Sequence, residues 1–511
     1  MRALLSLFLA ALMTTASPAA GKPNVVIILA DDLGYGDVHA NNPERGKIPT
    51  PHIDKLASQG MRFTDGHSSS GVCSPSRYAL LTGRYHWRSR LQRGIVSYLE
   101  KPLIAPDRLT LAGMLKQQGY HSACIGKWHL GWDWAMTPEQ RPLLTGGRGK
   151  AATVISDAHR AAWNEVYAKP IGGGPTTRGF DEYFGTDVPN WPPYCFIEKD
   201  HTVGIPSEFL PMAKLKNNLA SIPGPALKDW KLEDILPALT QRACAYIARR
   251  STTQQPFFLY LPLTTPHTPL APSAEWQGKS GLGLPVADLI MQTDATVGRV
   301  LEALDKAGAA DNTLVFFTSD NGFAAYTGAK ELEKQGHFPS GPLRGYKTEA
   351  FEGGHRIPYI IRWPGTVKPG AVCDQLVHQS DMMATLAEIT GQKLPENAGE
   401  DSFSLMPLLR GGDKPIRQHA ISHAASGLAS IRQGSWKLIA GGGTAKGKGQ
   451  LYDLSTDLGE TQNLWDEKPD KVTEMLALME KLVTQGRSNE GASQQNDVPV
   501  NWRRLLSGAE K

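Results

Sequence analysis

The chain has 511 residues, of which 41% are hydrophobic and 20% are charged, and its formal net charge at pH 7 is +4. A chain of this length is too long for one ordinary hydrophobic core, so a large domain with a smaller one is expected. The composition is typical of a soluble globular protein rather than a disordered or fibrous one. A charge this small for the length gives no reason to expect a nucleic-acid partner, although it is compatible with an anionic substrate.

The N-terminus has the pattern of an export signal. Arg2 supplies a positive start, an apolar run follows at residues 4–13, and residues 16–20 are the small residues before a cleavage point. The run is too short to span a bilayer, and no later segment is long and apolar enough to do so. We therefore predict a signal peptide at residues 1–20, a periplasmic or secreted protein, and no membrane partner.

Buried-strand patterns alternate with helical patterns through most of the chain. Residues 24–30 form a continuous apolar, β-branched run, which is typical of a strand buried on both faces of a parallel sheet. Similar runs occupy residues 121–126, 256–261 and 313–318, with helical spacing between them, for example at residues 232–249. This alternation predicts right-handed βαβ units and an α/β fold with a large, mostly parallel central sheet flanked by helices.

Two regions depart from this alternation. Residues 135–232 are rich in proline, glycine and aromatic residues, and their weak periodicity predicts a long insertion with little regular structure. After residue 412, short strand patterns at close spacing predict a small antiparallel sheet, followed by a helix at residues 471–485. The predicted division is a catalytic domain at residues 21–412 and a small α+β subdomain at residues 413–511.

Cys73 lies in the stretch Gly71-Val72-Cys73-Ser74-Pro75-Ser76-Arg77. Pro75 suits the first position of a helix, and Gly83 suits its left-handed exit. Cys73 is thus predicted just ahead of a helix N-terminus, where free N–H groups favour an anion, with Arg77 as a nearby positive charge. A lone cysteine is more often a small buried hydrophobe, but this arrangement favours chemistry on an oxyanion.

Ionisable and amide side chains follow four of the predicted strands at their carboxyl ends, where open parallel sheets bind ligands. Any one aspartate there could simply form a turn, and a loop histidine is usually solvated. Four such strand ends in one chain, with the Cys73 loop as a fifth, predict a single site. The residues are Asp31 and Asp32, Lys127 and His129, His267, and Asp320 and Asn321.

The oxygen ligands in this set predict a bound cation. Asp31, Asp32, Asp320 and Asn321 offer carboxylate and amide oxygens, which suit Ca²⁺ or Mg²⁺ better than Zn²⁺. Three crowded carboxylates would also repel one another strongly without a cation.

These stretches together resemble the type I sulfatases of the alkaline phosphatase superfamily, in which a signature cysteine is oxidised to formylglycine after translation. The resemblance runs from about residue 22 to residue 464 and is weakest in the insertion. The matching motifs are residues 23–37, Cys73-Ser74-Pro75-Ser76-Arg77 with Leu81-Thr82-Gly83-Arg84, residues 126–131, 266–269, 319–322 and 343–347, and, in the tail, residues 431–438 and 451–454.

The resemblance implies a sulfuric ester hydrolase with a formylglycine nucleophile made from Cys73. It implies one divalent cation, Ca²⁺ with Mg²⁺ as the alternative, held by Asp31, Asp32, Asp320, Asn321 and the modified Cys73. A maturation enzyme that generates formylglycine is then an expected partner.

The resemblance also implies roles for the remaining polar residues. Arg77, Lys127 and Lys347 would neutralise charge on the transferring group. His267, together with Lys347, would protonate the leaving alcohol, and His129 would take a proton from the second hydroxyl of the hydrated aldehyde.

The expected substrate is a sulfated carbohydrate, because exported members of this family most often act on polysaccharides. The chain is similar overall to bacterial carbohydrate sulfatases, including those acting at O6 of galactose-type sugars. Trp191, Tyr194 and Phe196 could stack on sugar faces or pack the insertion against the body, and the sequence leaves both open. His337 is expected to be a solvated surface residue rather than a contact to a sugar hydroxyl.

Two other interpretations remain at this point. A phosphoric or phosphonic ester hydrolase of the same superfamily would usually hold two Zn²⁺ and show more histidines near Asp320. A secreted binding protein is the non-enzymatic alternative. A single apparent metal site, and cysteine rather than serine or threonine at position 73, favour sulfate.

The other four cysteines allow three disulfide pairings. Cys124 lies in an apolar strand pattern and Cys244 on the apolar face of a predicted helix. Both are expected to be packed free thiols, so few or no disulfides are predicted.

Overall fold

The computed structural model describes residues 21–145, 154–215, 220–443, 448–503 and 506. The predicted signal peptide, residues 1–20, lies outside these residues. Among the described residues, no helix has the length and apolar character needed to cross a membrane.

The bounds of the regular elements follow the sequence patterns closely. Over the described residues, the strands in chain order are β1 (Asn24–Asp31), β2 (Met61–Phe63), β3 (Gly66–His67), β4 (His121–Lys127), β5 (Glu182–Thr186), β6 (Ile197–Glu198), β7 (His201–Thr202), β8 (Glu208–Leu210), β9 (Gly224–Ala226), β10 (Phe257–Pro266), β11 (Thr313–Ser319), β12 (Tyr359–Arg362), β13 (Ala371–Cys373), β14 (Val377–His378), β15 (His419–His423), β16 (Ala429–Gln433), β17 (Trp436–Ile439) and β18 (Gln450–Asp453). The α-helices in the same residues are α1 (Pro51–Gln59), α2 (Cys73–Thr82), α3 (Leu111–Gln117), α4 (Asp157–Val166), α5 (Ile235–Arg250), α6 (Pro285–Lys306), α7 (Ala329–Lys334), α8 (Glu352–His355), α9 (Met382–Thr390), α10 (Met406–Leu409) and α11 (Pro469–Gln485).

The central sheet has ten strands in the order β13-β2-β12-β11-β1-β10-β4-β5-β6-β7. The five strands from β11 to β5 are parallel. Towards the edges, β12 runs antiparallel to both of its neighbours, and β6 and β7 form an antiparallel extension. The predicted α/β class with a mostly parallel central sheet is therefore confirmed.

Strand β1 lies in the middle of this sheet because its side chains are apolar on both faces. Val25, Ile27 and Leu29 face a core that includes α2, α3 and α9. Val26 and Ile28 face the opposite core, which includes α1, α5 and α6. Each of these side chains is fully buried, as expected for a parallel strand covered by helices on both sides.

The region predicted as a long insertion, residues 135–232, contains α4, β8 and β9, and it also supplies β5, β6 and β7 to the central sheet. The expectation of little regular structure is wrong for these three strands, because β5 pairs in parallel with β4 and extends the sheet. The aromatic rings of this region make packing contacts, both within the region and, for Trp191, edge-on to the ring of His129 with centroids 5.4 Å apart. Tyr194 donates its hydroxyl hydrogen to the carbonyl oxygen of Ile222 at 2.6 Å, and the Phe196 ring stacks on Phe184 with centroids 4.7 Å apart. Trp191 is 8% exposed, so packing is the role the structure supports for these rings.

The C-terminal part forms a separate four-stranded sheet in which β15, β16, β17 and β18 pair in sequence order, all antiparallel. Helix α11 covers it, and their apolar residues share a core with Tyr85 and Trp87 from the region that follows α2. The predicted small antiparallel sheet with a helix is confirmed. The boundary at residue 412 stays a prediction.

All five cysteines are free thiols. Cys124, Cys195 and Cys373 are buried, but Cys244 is only partly buried and lines a surface cavity of about 590 Å³ between α5 and α6. The expectation that Cys244 is fully packed is wrong, because its position on α5 faces the edge of the contact with α6 rather than its centre.

Candidate active site

The carboxyl edge of the central sheet carries the candidate site. Asp31 ends β1, Lys127 ends β4, His267 follows β10, and Asp320 follows β11. Parallel pairing of these strands brings their ends together, although the residues are up to about 290 positions apart in sequence. Helix α2 delivers Cys73 to the same edge.

Cys73 is the first residue of α2 rather than a residue ahead of it. Val72, with φ −148° and ψ 161°, is the N-cap, so Pro75 is the third helical residue, and Gly83 closes the helix with φ +63° as predicted. The Cys73 Sγ lies 3.6 Å from Asp31 Oδ1, and the residue is 2% exposed. Burial raises the pKa of its thiol to about 12 despite Lys127 and Lys347, so the unmodified thiol would be a poor nucleophile at neutral pH.

Three fully buried or nearly buried carboxylates each face a cation. Lys127 Nζ lies 2.7 Å from Asp31 Oδ2, and Lys347 Nζ lies 2.7 Å from Asp32 Oδ2. The third carboxylate, Asp320, accepts two N–H bonds on Oδ2 at 3.1 and 2.8 Å, both from the guanidinium of Arg77. These contacts bring the three predicted cations and three predicted carboxylates into one cluster.

Crowding separates the pKa values of two of these carboxyls. Burial works to raise the pKa of Asp31, but Lys127, His267 and Arg77 hold it well below its usual range. Burial, with the Asp31 charge beside it, raises the pKa of Asp320 to about 7. Because buried carboxylates this close together repel one another when ionised, the site favours the binding of an additional positive charge.

The donor atoms at this edge fit a hard cation. Ligand atoms of Asp31, Asp32, Cys73 and His267 all lie within 4.8 Å of one another. The buried Asn321 Oδ1 has no hydrogen-bond partner among the described residues, while its Nδ2 donates to Asp32 Oδ1 at 2.8 Å. An orphaned amide oxygen beside two carboxylates is an oxygen-rich donor set of the kind that Ca²⁺ and Mg²⁺ prefer.

His129 lies beside this cluster with one ring nitrogen unused. Its Nε2 is 3.1 Å from the carbonyl oxygen of Val96, which can only accept, so Nε2 carries the hydrogen. The buried Nδ1 has no hydrogen-bond partner among the described residues. Burial holds the pKa of His129 well below its usual value, so Nδ1 presents a free lone pair.

His267 and Lys347 lie on the other side of Asp32. His267 Nδ1 is 2.7 Å from the carbonyl oxygen of Thr268 and therefore carries a hydrogen, and its Nε2 is 3.7 Å from Asp32 Oδ2. Burial lowers the pKa of His267 to about 4. Burial also works to lower the pKa of Lys347, but Asp32 raises it well above its usual value, so Lys347 stays protonated.

Two features of the site are not predicted from the sequence. Asp32 and His129 both adopt left-handed backbone conformations, with φ of +69° and +54°, and such strain in non-glycine residues is typical of functional sites. The His129 N–H donates to Asp187 Oδ1 at 3.2 Å, so Asp187 orients the loop that carries His129. Its position just after β5, another strand end at the same edge, was the available signal.

His337 does not behave as predicted. It is fully buried, its Nδ1 accepts the N–H of Lys47 at 2.9 Å, and its Nε2 lies 2.8 Å from Asp37 Oδ1. The expectation of a solvated residue is wrong because His337 bridges two loops of the body.

Family models and known proteins match most of this chain. The family model described as Sulfatase matches residues 23–392, and the one described as N-sulphoglucosamine sulphohydrolase, C-terminal, matches residues 346–488. The chain is 35% identical over 497 residues to the N-acetylgalactosamine-6-O-sulfatase of Bacteroides thetaiotaomicron, covering 91% of this chain and 93% of that protein. It is 33% identical over 512 residues to Arylsulfatase A of Bos taurus, covering 94% and 89%.

Two solved structures share the fold and recognisable sequence. One, described under metabolism of multiple glycosaminoglycans by Bacteroides thetaiotaomicron, has a TM-score of 0.77 at 32% identity and covers 90% of this chain and 99% of its own. The other, Ps i-CgsB in complex with k-i-k-neocarrahexaose, has a TM-score of 0.67 at 26% identity and covers 93% and 95%. On the extent of these matches, the chain belongs to the sulfatase family of sulfuric ester hydrolases.

Proposed function

We propose that this protein is an exported carbohydrate sulfatase that uses a formylglycine made from Cys73. The observation that carries the proposal is the cluster in which donor atoms of Asp31, Asp32, Cys73 and His267 lie within 4.8 Å of one another. Around it, Lys127 and other fixed cations suit an anionic group.

A divalent cation, for which Ca²⁺ is our choice, would be held by Asp31, Asp32, Asp320, Asn321 and residue 73, where it would polarise the oxygens of a sulfate ester. A formylglycine at position 73 would supply, as its hydrate, one hydroxyl to attack sulfur and a second that lets the aldehyde re-form as sulfate leaves.

The cations of the chain would stabilise the transferring group. Arg77 and Lys127 are fully buried and held by carboxylates, so their positive charges are fixed in position before substrate binds. Lys347 contacts the same cluster through its ion pair with Asp32. Charges fixed in a site of low polarity stabilise developing negative charge without reorganisation during the reaction.

The two histidines suit opposite proton transfers. His129 has a free lone pair on Nδ1, with its other nitrogen committed to Val96, so it suits the acceptance of a proton from a hydroxyl on residue 73. Lys347 carries the proton that the leaving oxygen needs. The neutral His267 faces the site through Nε2, which carries no hydrogen, so it suits the relay of that proton from Lys347 to the leaving oxygen.

For the substrate, we propose a carbohydrate carrying a 6-O-sulfate on galactose or N-acetylgalactosamine. Relatives at 31–35% identity include N-acetylgalactosamine 6-sulfatases from a bacterium and from mouse. Tyr326 offers a surface for a sugar ring, since it is 57% exposed while its hydroxyl lies 3.5 Å from Thr268 Oγ1, next to His267.

The test is desulfation of defined disaccharides by protein in which conversion of Cys73 has been verified by mass analysis. We expect release of sulfate from 6-O-sulfated galactose-type sugars, and we expect Cys73→Ala to remove turnover while near-UV circular dichroism stays native. Hydrolysis of aryl sulfates alone would contradict the carbohydrate assignment. Faster hydrolysis of matched phosphate esters than of sulfate esters would contradict the proposed reaction.

Export is a separate part of the proposal. Expression of the full chain with N-terminal sequencing of the mature protein should show cleavage near residue 20 and recovery outside the cytoplasm. An intact N-terminus on active protein would contradict it.

A further inference from the structure

A buried cluster of charges joins the C-terminal sheet to the segment that carries Lys347. We call it the tail cluster, and it consists of Asp65, Glu352, Glu460, Arg356, Arg432 and Lys437. Arg432 and Lys437 belong to the tail motif at residues 431–438, for which the proposed reaction has no use.

The tail cluster is balanced in charge. Lys437 Nζ lies 3.0 Å from Glu352 Oε1 and 2.8 Å from Glu460 Oε1, and all three side chains are almost completely buried. Arg432 lies 3.0 Å from Asp65 and 3.2 Å from Glu352, which also pairs with the remaining cation of the cluster at 3.2 Å. Three carboxylates therefore face three permanent cations.

Two histidines among these charges add none of their own. Burial lowers the pKa of His67 and holds that of His355 well below its usual value, so both are neutral near pH 7. Burial works to raise the pKa of Glu352, but Lys437 and Arg432 hold it well below its usual range. Burial raises the pKa of Glu460 although Lys437 opposes this, so Glu460 is the carboxylate of the cluster that acid neutralises first.

Glu460 hydrogen-bonds to both ends of the segment that carries Lys347, residues 344–352. Its Oε2 accepts the N–H of Glu352 at 2.7 Å, and its carbonyl oxygen accepts a guanidinium hydrogen of Arg344 at 2.5 Å. The Gly353 N–H donates to the carbonyl oxygen of Arg344 at 2.7 Å, which completes the closure. Lys347 lies within this closed loop.

A second connection lies next to Lys347 itself. The Ala425 N–H, from the loop after β15, donates to the carbonyl oxygen of Thr348 at 3.0 Å. The Thr348 N–H donates to Gly71 at 2.7 Å, and the Gly71 N–H donates to His423 at 2.8 Å. The C-terminal sheet thus contacts the Lys347 segment and the loop before Cys73 at once.

A buried ion cluster is weak support for stability, because well-packed apolar residues of similar volume often stabilise as well or better. What paired charges of this kind can provide is one defined geometry for the segments that they join. Here Lys437 meets Glu352 Oε1 and Glu460 Oε1 as ion pairs that do not have hydrogen-bond geometry. The segment that needs such a geometry here is the one that carries Lys347, whose Nζ must lie 2.7 Å from Asp32.

We propose that Lys437 and Glu460 are positioning residues that hold Lys347 in its working place, so that the C-terminal subdomain takes part in the site. The inference rests on the proposed role of Lys347 in the reaction. Neither residue is proposed to touch the substrate.

The experiment is a double-mutant cycle on the full-length, converted protein, with a small aryl sulfate as substrate. Lys437→Met should lower kcat about tenfold or more, because displacement of a catalytic group by about 1 Å can cost up to about 100-fold. In a Lys347→Ala background the same change should cost less than about twofold, because no lysine remains to be displaced. Lys437→Arg, which keeps the charge, should restore most of the activity.

The matched control is Arg88→Met. Arg88 is also fully buried, pairs with Asp401 at 2.8 Å, and contacts α11 through the carbonyl oxygen of Leu482 at 3.0 Å, but it does not touch the Lys347 segment. The factor by which Arg88→Met lowers kcat should be the same with and without Lys347. All assays are run well below each variant's unfolding temperature.

If Lys437→Met lowers kcat by the same factor in both backgrounds, the inference is overturned and the cluster has a purely structural role. If Lys437→Met does not fold, Glu460→Gln is taken through the same cycle, since it keeps the size of the side chain and the backbone contact to Arg344. Loss of the fold in both variants would also overturn it. Absence of sulfatase activity in the parent protein would instead refute the proposed function, so the two failures are distinguishable.

Discussion

His419 offers a quantitative test of the electrostatics of this fold. It begins β15, is partly buried, and its buried Nε2 has no hydrogen-bond partner among the described residues. Burial, aided by Arg417, lowers its pKa from 6.5 to about 4. Between those two pH values the unfolded chain therefore binds more protons than the folded chain at this position, so acid favours unfolding.

The magnitude follows from that gap. At about 1.4 kcal/mol per pH unit, the shift at His419 corresponds to about 3 kcal/mol in the free energy of unfolding. This stability is fully present above pH 6.5 and is lost as the pH falls to about 4. His419→Gln removes the titrating group, so this variant should lose about 3 kcal/mol less than the parent between pH 7.5 and pH 4.

The assay is urea unfolding followed by tryptophan fluorescence at four pH values from 7.5 to 4, with each variant normalised to its own stability at pH 7.5. His201→Gln is the control for the loss of a histidine as such, because His201 is exposed on the β6–β7 hairpin and its substitution leaves the buried surroundings of His419 intact. Parallel profiles for the parent and His419→Gln would refute the reasoning.

Three further predictions follow from the site and the surface. Tyr326→Ala should raise KM for a sulfated disaccharide about tenfold, because the contact of the ring with the sugar is lost, with little effect on a small aryl sulfate. Steady-state kinetics with Tyr326→Phe as the control measures this, and an equal rise in KM for both substrates would contradict it. Chelation should abolish turnover and lower the unfolding temperature, because the proposed cation would no longer offset the charges of Asp31 and Asp32, and Ca²⁺ should restore both. Full activity in protein shown by metal analysis to be ion-free would exclude the cation. Iodoacetamide at pH 8.5 should alkylate Cys244 before the buried Cys195, as read by peptide mass analysis, and the reverse order would be incompatible with their burial.

Sequence patterns predict the fold of this chain well because its signals are strong and local. The run at residues 25–30 is apolar at every position, and the structure buries alternate residues of β1 in two different cores. The short strands of the C-terminal sheet are also recognisable, since each is bounded by glycine or polar turn residues. Neither conclusion requires knowledge of a distant contact.

The parts that the sequence does not predict depend on such contacts. His337 has the composition of a surface loop around it, yet it is buried because Asp37 and Lys47, some 300 positions away, supply partners for both ring nitrogens. Cys244 has helical spacing that suits a core position, but whether that face meets the middle or the margin of α6 is decided by packing.

The candidate site shows the same division. Residues at strand ends can be grouped from sequence alone, because parallel strands share one edge. The unpaired Nδ1 of His129 and the contact between Ala425 and Thr348 cannot, because they depend on loop conformations with left-handed residues and on a separate sheet.

The central place of β1 has a consequence for the biosynthesis of this protein. The strand is made first, but its two neighbours come from much later in the chain, with Ser319 of β11 lying 289 residues after Ala30. At a synthesis rate of about 5–20 residues per second, the apolar strand β1 stays unpaired for about 15–60 s before both neighbouring strands have left the ribosome. Chaperone protection of the nascent N-terminal region should therefore matter more for the yield of this protein than for chains whose first strand pairs with the next one made.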